Sequence, residues 1–178
     1  MLRSARLVFT LGLALTLAGC FVSEKPLIAE ADSVTPVEPG RYVNPSMDPD
    51  AYALVTVNGN VTVLSSSDDN GNAEEMAFLM RNLRNDYFIV MDRDDSSYTL
   101  VRVHDGSVDE YDAGQYCKKL HAVAKKHGVD VSSFGVVNEQ KEETSICYFD
   151  NYDKLAGAFA TLLDEADLEI GETYKRAN

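Results

Sequence analysis

The chain has 178 residues, a length that suits one folded domain and is short for two. Hydrophobic residues make up 45% and charged residues 25%, which is the composition of a globular protein rather than of a disordered chain. Acidic residues outnumber basic ones by 29 to 16, and the net charge of −13 argues against a general nucleic-acid binder. No apolar run reaches the 18 residues that a membrane-spanning helix needs.

The first twenty residues have the pattern of an export signal. Two arginines lie within the first six residues, and residues 7–17 form an apolar stretch that is too short to cross a bilayer. The tetrad Leu17-Ala18-Gly19-Cys20 follows, and it resembles the lipobox of bacterial lipoproteins. This resemblance implies that residues 1–19 are removed as a signal peptide and that Cys20 is lipidated on its sulfur and its new amino group. The alternatives are a plain secretory signal that contains a chance cysteine and a buried hairpin helix.

The residues after Cys20 bear on where such a protein would be sorted. Neither Phe21 nor Val22 is an aspartate, and this resembles Gram-negative lipoproteins that pass to the outer membrane. We therefore expect a lipid-anchored protein of the cell envelope, at the outer membrane and facing the periplasm. The expected partners are the membrane, through the acyl chains, and an envelope protein, whereas no nucleic acid and no cofactor are expected.

Residues 20–39 are predicted to be the lipidated cysteine and a flexible tether. Prolines at 26, 36 and 39 interrupt any helix, and the residues between them follow neither a strand nor a helix period. Fully extended at about 3.3 Å per residue, such a tether would reach roughly 60 Å. A single globular domain is then expected to occupy residues 40–178.

The first part of that domain is predicted to consist mainly of strands. Residues 51–57 and 61–64 flank Asn58-Gly59-Asn60, and Asn-Gly between β-branched runs is a strong signal for a hairpin. A second hairpin is predicted from residues 88–91 and 98–104, and a turn after it leads into a strand at 108–111. Along residues 98–104 alternate side chains fall on opposite faces, as in an antiparallel sheet.

Three helices and two late strands are predicted around these hairpins. Apolar residues at helical spacing indicate helices over 73–83, over 115–127 and from a cap at Asn151 or Asp153, with short strands at 146–149 and 168–174. This order predicts an α+β fold in which an antiparallel β-sheet of hairpins packs against two to three helices. The late segments, ending in Tyr174-Lys175-Arg176, loosely resemble uncharacterised lipoproteins of Gram-negative bacteria, a resemblance that implies no function.

Two cysteines remain once Cys20 carries a lipid. Cys117 and Cys147 are predicted to form a structural disulfide, because thiols in an oxidising compartment usually pair, and two separately buried thiols are the alternative. Cys117 and His121 also have a helical spacing that can hold a metal, but a zinc site needs at least three ligands. His127 is expected to point elsewhere on the helix, so no metal site is predicted.

Other polar clusters are interpreted as ordinary structure. The acidic segments 68–72 and 92–95 could hold calcium, but the first lacks the glycine and glutamate of an EF-hand loop, and both suit turns. His104, Asp105 and Ser107 could be drawn as part of a catalytic triad, yet adjacent strand residues point to opposite sides. No catalytic residue is therefore assigned.

These observations favour a non-catalytic interaction or envelope-assembly module. The alternative is an enzyme or ligand-binding protein that acts on envelope material through a carboxylate cleft, with convergent polar groups of perturbed pKa. Inhibition of a cationic host enzyme by the acidic surface is a third hypothesis, which rests on charge alone.

Overall fold

A computed structural model describes residues 21–46, 52–67, 73–112, 115–137 and 146–177. The predicted signal peptide and Cys20 lie outside these residues. Within the described ranges the chain forms ten strands and two α-helices. In chain order they are β1 (Phe21–Val22), β2 (Gly40–Val43), β3 (Ala53–Asn58), β4 (Val61–Ser67), β5 (Ala73–Arg84), β6 (Tyr87–Asp92), β7 (Ser97–His104), β8 (Ser107–Tyr111), α1 (Tyr116–His127), β9 (Cys147–Tyr148), α2 (Tyr152–Glu165) and β10 (Ile170–Arg176).

Eight of the described strands close into an antiparallel barrel. Strands β2 to β8 pair in sequence order, and β10 completes the circle by pairing with both β8 and β2. The short strands β1 and β9 extend the sheet outside the barrel, beside β7. The predicted α+β fold, an antiparallel sheet packed with two to three helices, is therefore wrong. The predicted hairpins are present, but their strands curl until the first and last meet, which leaves the barrel without a free edge.

The helix predicted over residues 73–83 is instead the long strand β5. Its even-numbered apolar residues, among them Phe78 and Met80, face the barrel interior, and odd-numbered ones such as Leu79 face the outer layer. Because both faces of β5 are covered, its apolar residues do not alternate with polar ones as on a half-exposed strand. The resulting spacing imitates the period of an amphipathic helix.

Two hydrophobic clusters lie on opposite sides of the barrel wall. The inner cluster fills the barrel and includes Tyr42, Phe78 and Val101. The outer cluster, which includes Leu100 and Phe159, packs the wall against α1 and α2. Alternation along each strand sends neighbouring side chains to different clusters, so the same wall supports both.

The two helices lie where the sequence predicts them. In α1 the inward residues Tyr116, Leu120, Val123 and Ala124 are buried, and Gly128 ends the helix with a positive φ of 64°. Asn151 caps α2, since its side-chain oxygen accepts a hydrogen bond from the Lys154 amide at 3.0 Å. Neither of these nor any other described helix has the length and apolarity needed to cross a membrane.

Residues 21–39, which we call the N-terminal strap, pack against the barrel instead of forming the predicted flexible tether. Phe21 is fully buried, with its ring centroid 4.8 Å from that of Phe159 and 5.0 Å from that of Phe149. The hydroxyl of Tyr98 in β7 accepts a hydrogen bond from the Leu27 amide at 2.8 Å. At the other end of the strap, Val37 lines the barrel interior. These buried side chains hold the strap because their apolar area is removed from water, although no regular period marks them in the sequence.

Replacing Phe21 by Ala should lower the free energy of unfolding by about 3–5 kcal/mol, the usual cost of removing a buried aromatic ring. Denaturant unfolding of the variant and of the parent chain measures the difference. The matched control is Glu24→Ala, because Glu24 is exposed in the same segment and its loss should be nearly neutral. Equal stability of F21A and E24A would show that the strap is not packed in solution.

Candidate functional site

The barrel interior contains a small cavity with walls from all eight strands. About 70 Å³ is left unfilled, enough for a few water-sized groups. The lining residues are Val37, Tyr42, Ala53, Val55, Thr62, Leu64, Phe78, Met80, Val90, Thr99, Val101, Val108, Glu110 and Tyr174. Nearly all of these are apolar, and the surface that they present to the cavity is entirely apolar; Glu110 is the one residue among them that carries a carboxyl group.

A second carboxylate lies directly across from Glu110. Glu110 in β8 and Glu172 in β10 are partners in the strand register, and both lie on the inward face, as Val108 and Tyr174 do. The Tyr174 hydroxyl donates a hydrogen bond to Glu172, and the Asn44 amide donates another at 3.4 Å. Among the described residues none hydrogen-bonds the Glu110 carboxyl. The two acids therefore differ: Glu172 is bonded by its neighbours, and Glu110 is left available.

Burial, assisted by the nearby carboxylates of Glu172 and then Asp112, raises the pKa of Glu110 from 4.5 to about 8. Glu110 is consequently protonated at neutral pH. Burial also raises the pKa of Tyr174, and its bond to Glu172 acts in the same direction. The site thus presents a neutral acid, an ionisable partner and a tyrosine at one place on the wall.

Two threonines among the lining residues have buried hydroxyl groups. Thr62 is 3% exposed and Thr99 is 1% exposed, and the hydroxyl oxygens of both lack a hydrogen-bond partner among the described residues. Buried polar groups in folded proteins are nearly always hydrogen-bonded, so these two hydroxyls are unusual for a protein interior.

The sequence analysis missed Glu110 and Glu172, because each sits in a strand with no motif around it. A weak signal was present: Glu110 shares a strand face with the apolar Val108, and Glu172 shares one with Tyr174. A charged residue on an otherwise apolar face is unusual. That signal becomes specific only when the closed barrel brings the two strands together.

The predicted disulfide between Cys117 and Cys147 is confirmed. The bridge joins α1 to β9, with the two Cα atoms 5.6 Å apart, a separation normal for a disulfide. His121 lies beside it: one of its ring nitrogens and the two sulfur atoms are all within 4.8 Å of one another. His127 points away, as predicted, and its Nε2 lies 2.8 Å from a carboxylate oxygen of Glu165 in α2.

His104, which the sequence analysis considered and rejected as part of a triad, contacts a different residue, Asp109. The Nε2 of His104 lies 2.7 Å from an oxygen of Asp109, whereas its Nδ1 is 3.9 Å from Asp105. The other oxygen of Asp109 accepts a hydrogen bond from the Thr173 hydroxyl at 2.7 Å. His104 and Asp109 therefore form a polar cross-strand contact on the outside of the barrel, away from the cavity.

The acidic segment 92–95 behaves as a turn. Asp92 accepts a hydrogen bond from the Asp94 amide, and Asp95 accepts one from the Ser97 amide, each at 2.8 Å. These local bonds are the usual reason for aspartates at such positions. The other candidate calcium segment, 68–72, lies outside the described residues.

Comparison of this chain with protein-family models, with curated proteins and with solved structures gives no match.

In the parent chain the free energy of unfolding should fall as the pH rises, because of Glu110, and replacing Glu110 by Gln should remove this fall. A carboxyl with a pKa of about 8 in the folded chain, against an ordinary 4.5, binds more protons in the folded than in the unfolded state between these values. Its contribution is therefore fully present below pH 4.5 and is lost as the pH rises to 8. Relative to E110Q, the parent chain should lose up to about 5 kcal/mol of unfolding free energy across that window.

Denaturant unfolding at a series of pH values tests this difference, and E24Q, which changes an exposed glutamate, is the control. A difference between E110Q and the parent chain that stays constant with pH would contradict the raised pKa of Glu110.

Proposed function

We propose that this chain is a binding protein that holds a small, mainly apolar molecule inside its barrel, with a protonated amine of that molecule at Glu110 and Glu172. The observation that carries the proposal is the apolar cavity whose lining includes one partly buried acid, Glu110, with no hydrogen-bond partner among the described residues. Sites for small molecules are typically apolar, with a few polar groups that fix orientation.

The charges around the cavity support an amine over a carboxylate as the polar group of the ligand. Glu110 and Glu172 face each other across one strand pair, and burial disfavours two negative charges there. An amine would relieve this repulsion, and Glu110 would lose its proton as the ion pair forms. A fatty acid would instead place a third carboxyl beside the two.

The volume of the cavity and the flexibility of the side chains that line it limit the size of the ligand. About 70 Å³ is below the volume of most ligand sites, so an occupant must be narrow or must displace side chains. Met80 lines the cavity and Met76 packs against the same cluster. Methionine side chains change conformation at low cost, so a short alkyl chain is the class of ligand that this wall fits best.

Calorimetric titration with an alkylamine, an alcohol and a carboxylate of the same medium chain length tests the proposal. The amine should bind at least about tenfold more tightly than the carboxylate, a difference of about 1.4 kcal/mol. Its binding at neutral pH should release close to one proton, which buffers of different ionisation enthalpy detect. E110Q should lose both the preference and the proton release, and E24Q should keep them. If none of the three compounds binds, the interior is a packed core.

We also propose that the protein works in the cell envelope, anchored by lipid at Cys20. The support is the sequence Leu17-Ala18-Gly19-Cys20 together with the apolar stretch before it. Because Phe21 is buried in the outer cluster, a lipid on the preceding residue would hold the barrel close to the membrane rather than on a long tether. The role of an interaction or envelope-assembly module, with an envelope protein as partner, stays a prediction.

Intact mass of the protein extracted from bacterial membranes should correspond to a chain that begins at Cys20 and carries three acyl groups. Alkylation before reduction should add no mass, because Cys117 and Cys147 are bridged. The variant C20S should remain in the uncut form. A parent chain without lipid would contradict the anchor while leaving the ligand proposal intact.

A further inference from the structure

A cluster of three metal-binding side chains lies outside the barrel, between α1 and β9. Cys117 and His121 are four residues apart on α1, so they lie on the same face of the helix, and Cys147 is brought to them by β9. A ring nitrogen of His121 and the two sulfurs lie within 4.8 Å of one another, and all three ligand atoms are buried.

The imidazole of His121 has an unused nitrogen at this place. Its Nε2 is buried and has no hydrogen-bond partner among the described residues. A buried imidazole nitrogen without a partner is uncommon in a folded protein, and it is the form in which histidine binds metals. The disulfide cannot satisfy it, because disulfide sulfurs are poor hydrogen-bond acceptors and do not carry the negative charge of a thiolate.

We propose that the reduced form of this protein binds one divalent ion of the zinc type through Cys117, His121 and Cys147. A dithiol reductant transfers two electrons and two protons to the bridge, breaking the S–S bond and leaving two thiols while the reductant becomes a disulfide. The ion then displaces the two thiol protons and is held by two thiolates and the imidazole nitrogen. In the oxidised protein the two sulfurs are bonded to each other and the site is closed.

The geometry requires only local adjustment. Zinc–sulfur bonds of about 2.3 Å in a tetrahedral site place two thiolates roughly 3.8 Å apart, so the sulfurs must separate after reduction. Side-chain rotation can supply this, because the Cα atoms are already 5.6 Å apart. Three protein ligands leave a fourth position for water, the arrangement of open zinc sites.

Cobalt titration of the reduced full chain tests the proposal, with Cys20→Ser present throughout to remove the third thiol. After reduction by a phosphine without metals, one equivalent of Co²⁺ should produce thiolate-to-cobalt charge transfer and the strong visible absorption of a tetrahedral site. Zn²⁺ should abolish both signals. The oxidised protein should give neither.

His121→Asn should weaken Co²⁺ binding by at least about a hundredfold, more than the loss of a residue that merely supports a ligand. The matched control is His127→Asn, which changes the other histidine of α1 and should leave the affinity unchanged. Equal affinity in H121N and H127N, or a cobalt spectrum without thiolate bands, would overturn the proposal. Circular dichroism of the same samples shows whether the reduced chain keeps its fold. A reduced chain that unfolds and does not refold when Co²⁺ is added would also overturn the proposal.

Discussion

Pairing of the last strand with the first strand of the barrel is the contact on which the rest of the structure depends. Lys175 and Arg176 in β10 lie opposite Val43 and Tyr42 in β2, a short seam that turns a row of hairpins into a closed wall. The guanidinium of Arg176 strengthens it by donating to the carbonyl of Pro39 at 2.9 Å and by pairing with Glu38. Closure separates an inside from an outside, and only then does a cavity exist. The same strand β10 also pairs with β8, which is what places Glu172 opposite Glu110.

Closure by a strand so late in the chain makes the intervening residues pack on the outside. The segment between β8 and β10 includes both α-helices and β9. Packing of this segment on the barrel wall brings the chain back to the position where β10 can pair with β2 and β8. The Cys117–Cys147 bridge fixes α1 to β9, and in the loop-entropy model a disulfide across about thirty residues contributes roughly 3.5 kcal/mol. Phe21 of the strap fills the space between these elements and Phe159. The outer cluster therefore stabilises the barrel wall from the outside. The interior contributes less than a fully packed core would, because it keeps a cavity.

Local signals in the sequence predicted local structure well and the global fold poorly. The Asn58-Gly59 turn, the Gly128 end of α1 and the Asn151 cap are decided by a few neighbouring residues, and all three are present. The bridge was predictable because only two cysteines were left to pair. Closure of the barrel was not predictable from the sequence, since it is decided by the curvature summed over eight strands. Strand β5 was mistaken for a helix because closure buries both of its faces. The packing of the strap has no sequence signal because its buried apolar residues Phe21, Ile28 and Val37 follow no period. The pair of glutamates becomes recognisable only once the closed barrel brings their strands together.

The pair of Glu110 and Glu172 is best explained by function, because two opposed acids work against stability. Like charges directly opposite on neighbouring strands repel, and apolar side chains at 110 and 172 would continue the wall of the inner cluster. The protein instead keeps Glu110 protonated by raising its pKa to about 8, and satisfies Glu172 through Tyr174 and Asn44. Among the described residues, one member of the pair is thereby anchored and the other has no hydrogen-bond partner, and the hydroxyls of Thr62 and Thr99 also lack one. Local choices that conflict with a stable core are expected where a site needs them. A guest that brings a positive charge would turn the unfavourable pair into its binding contact, which accounts for the acids and the cavity together.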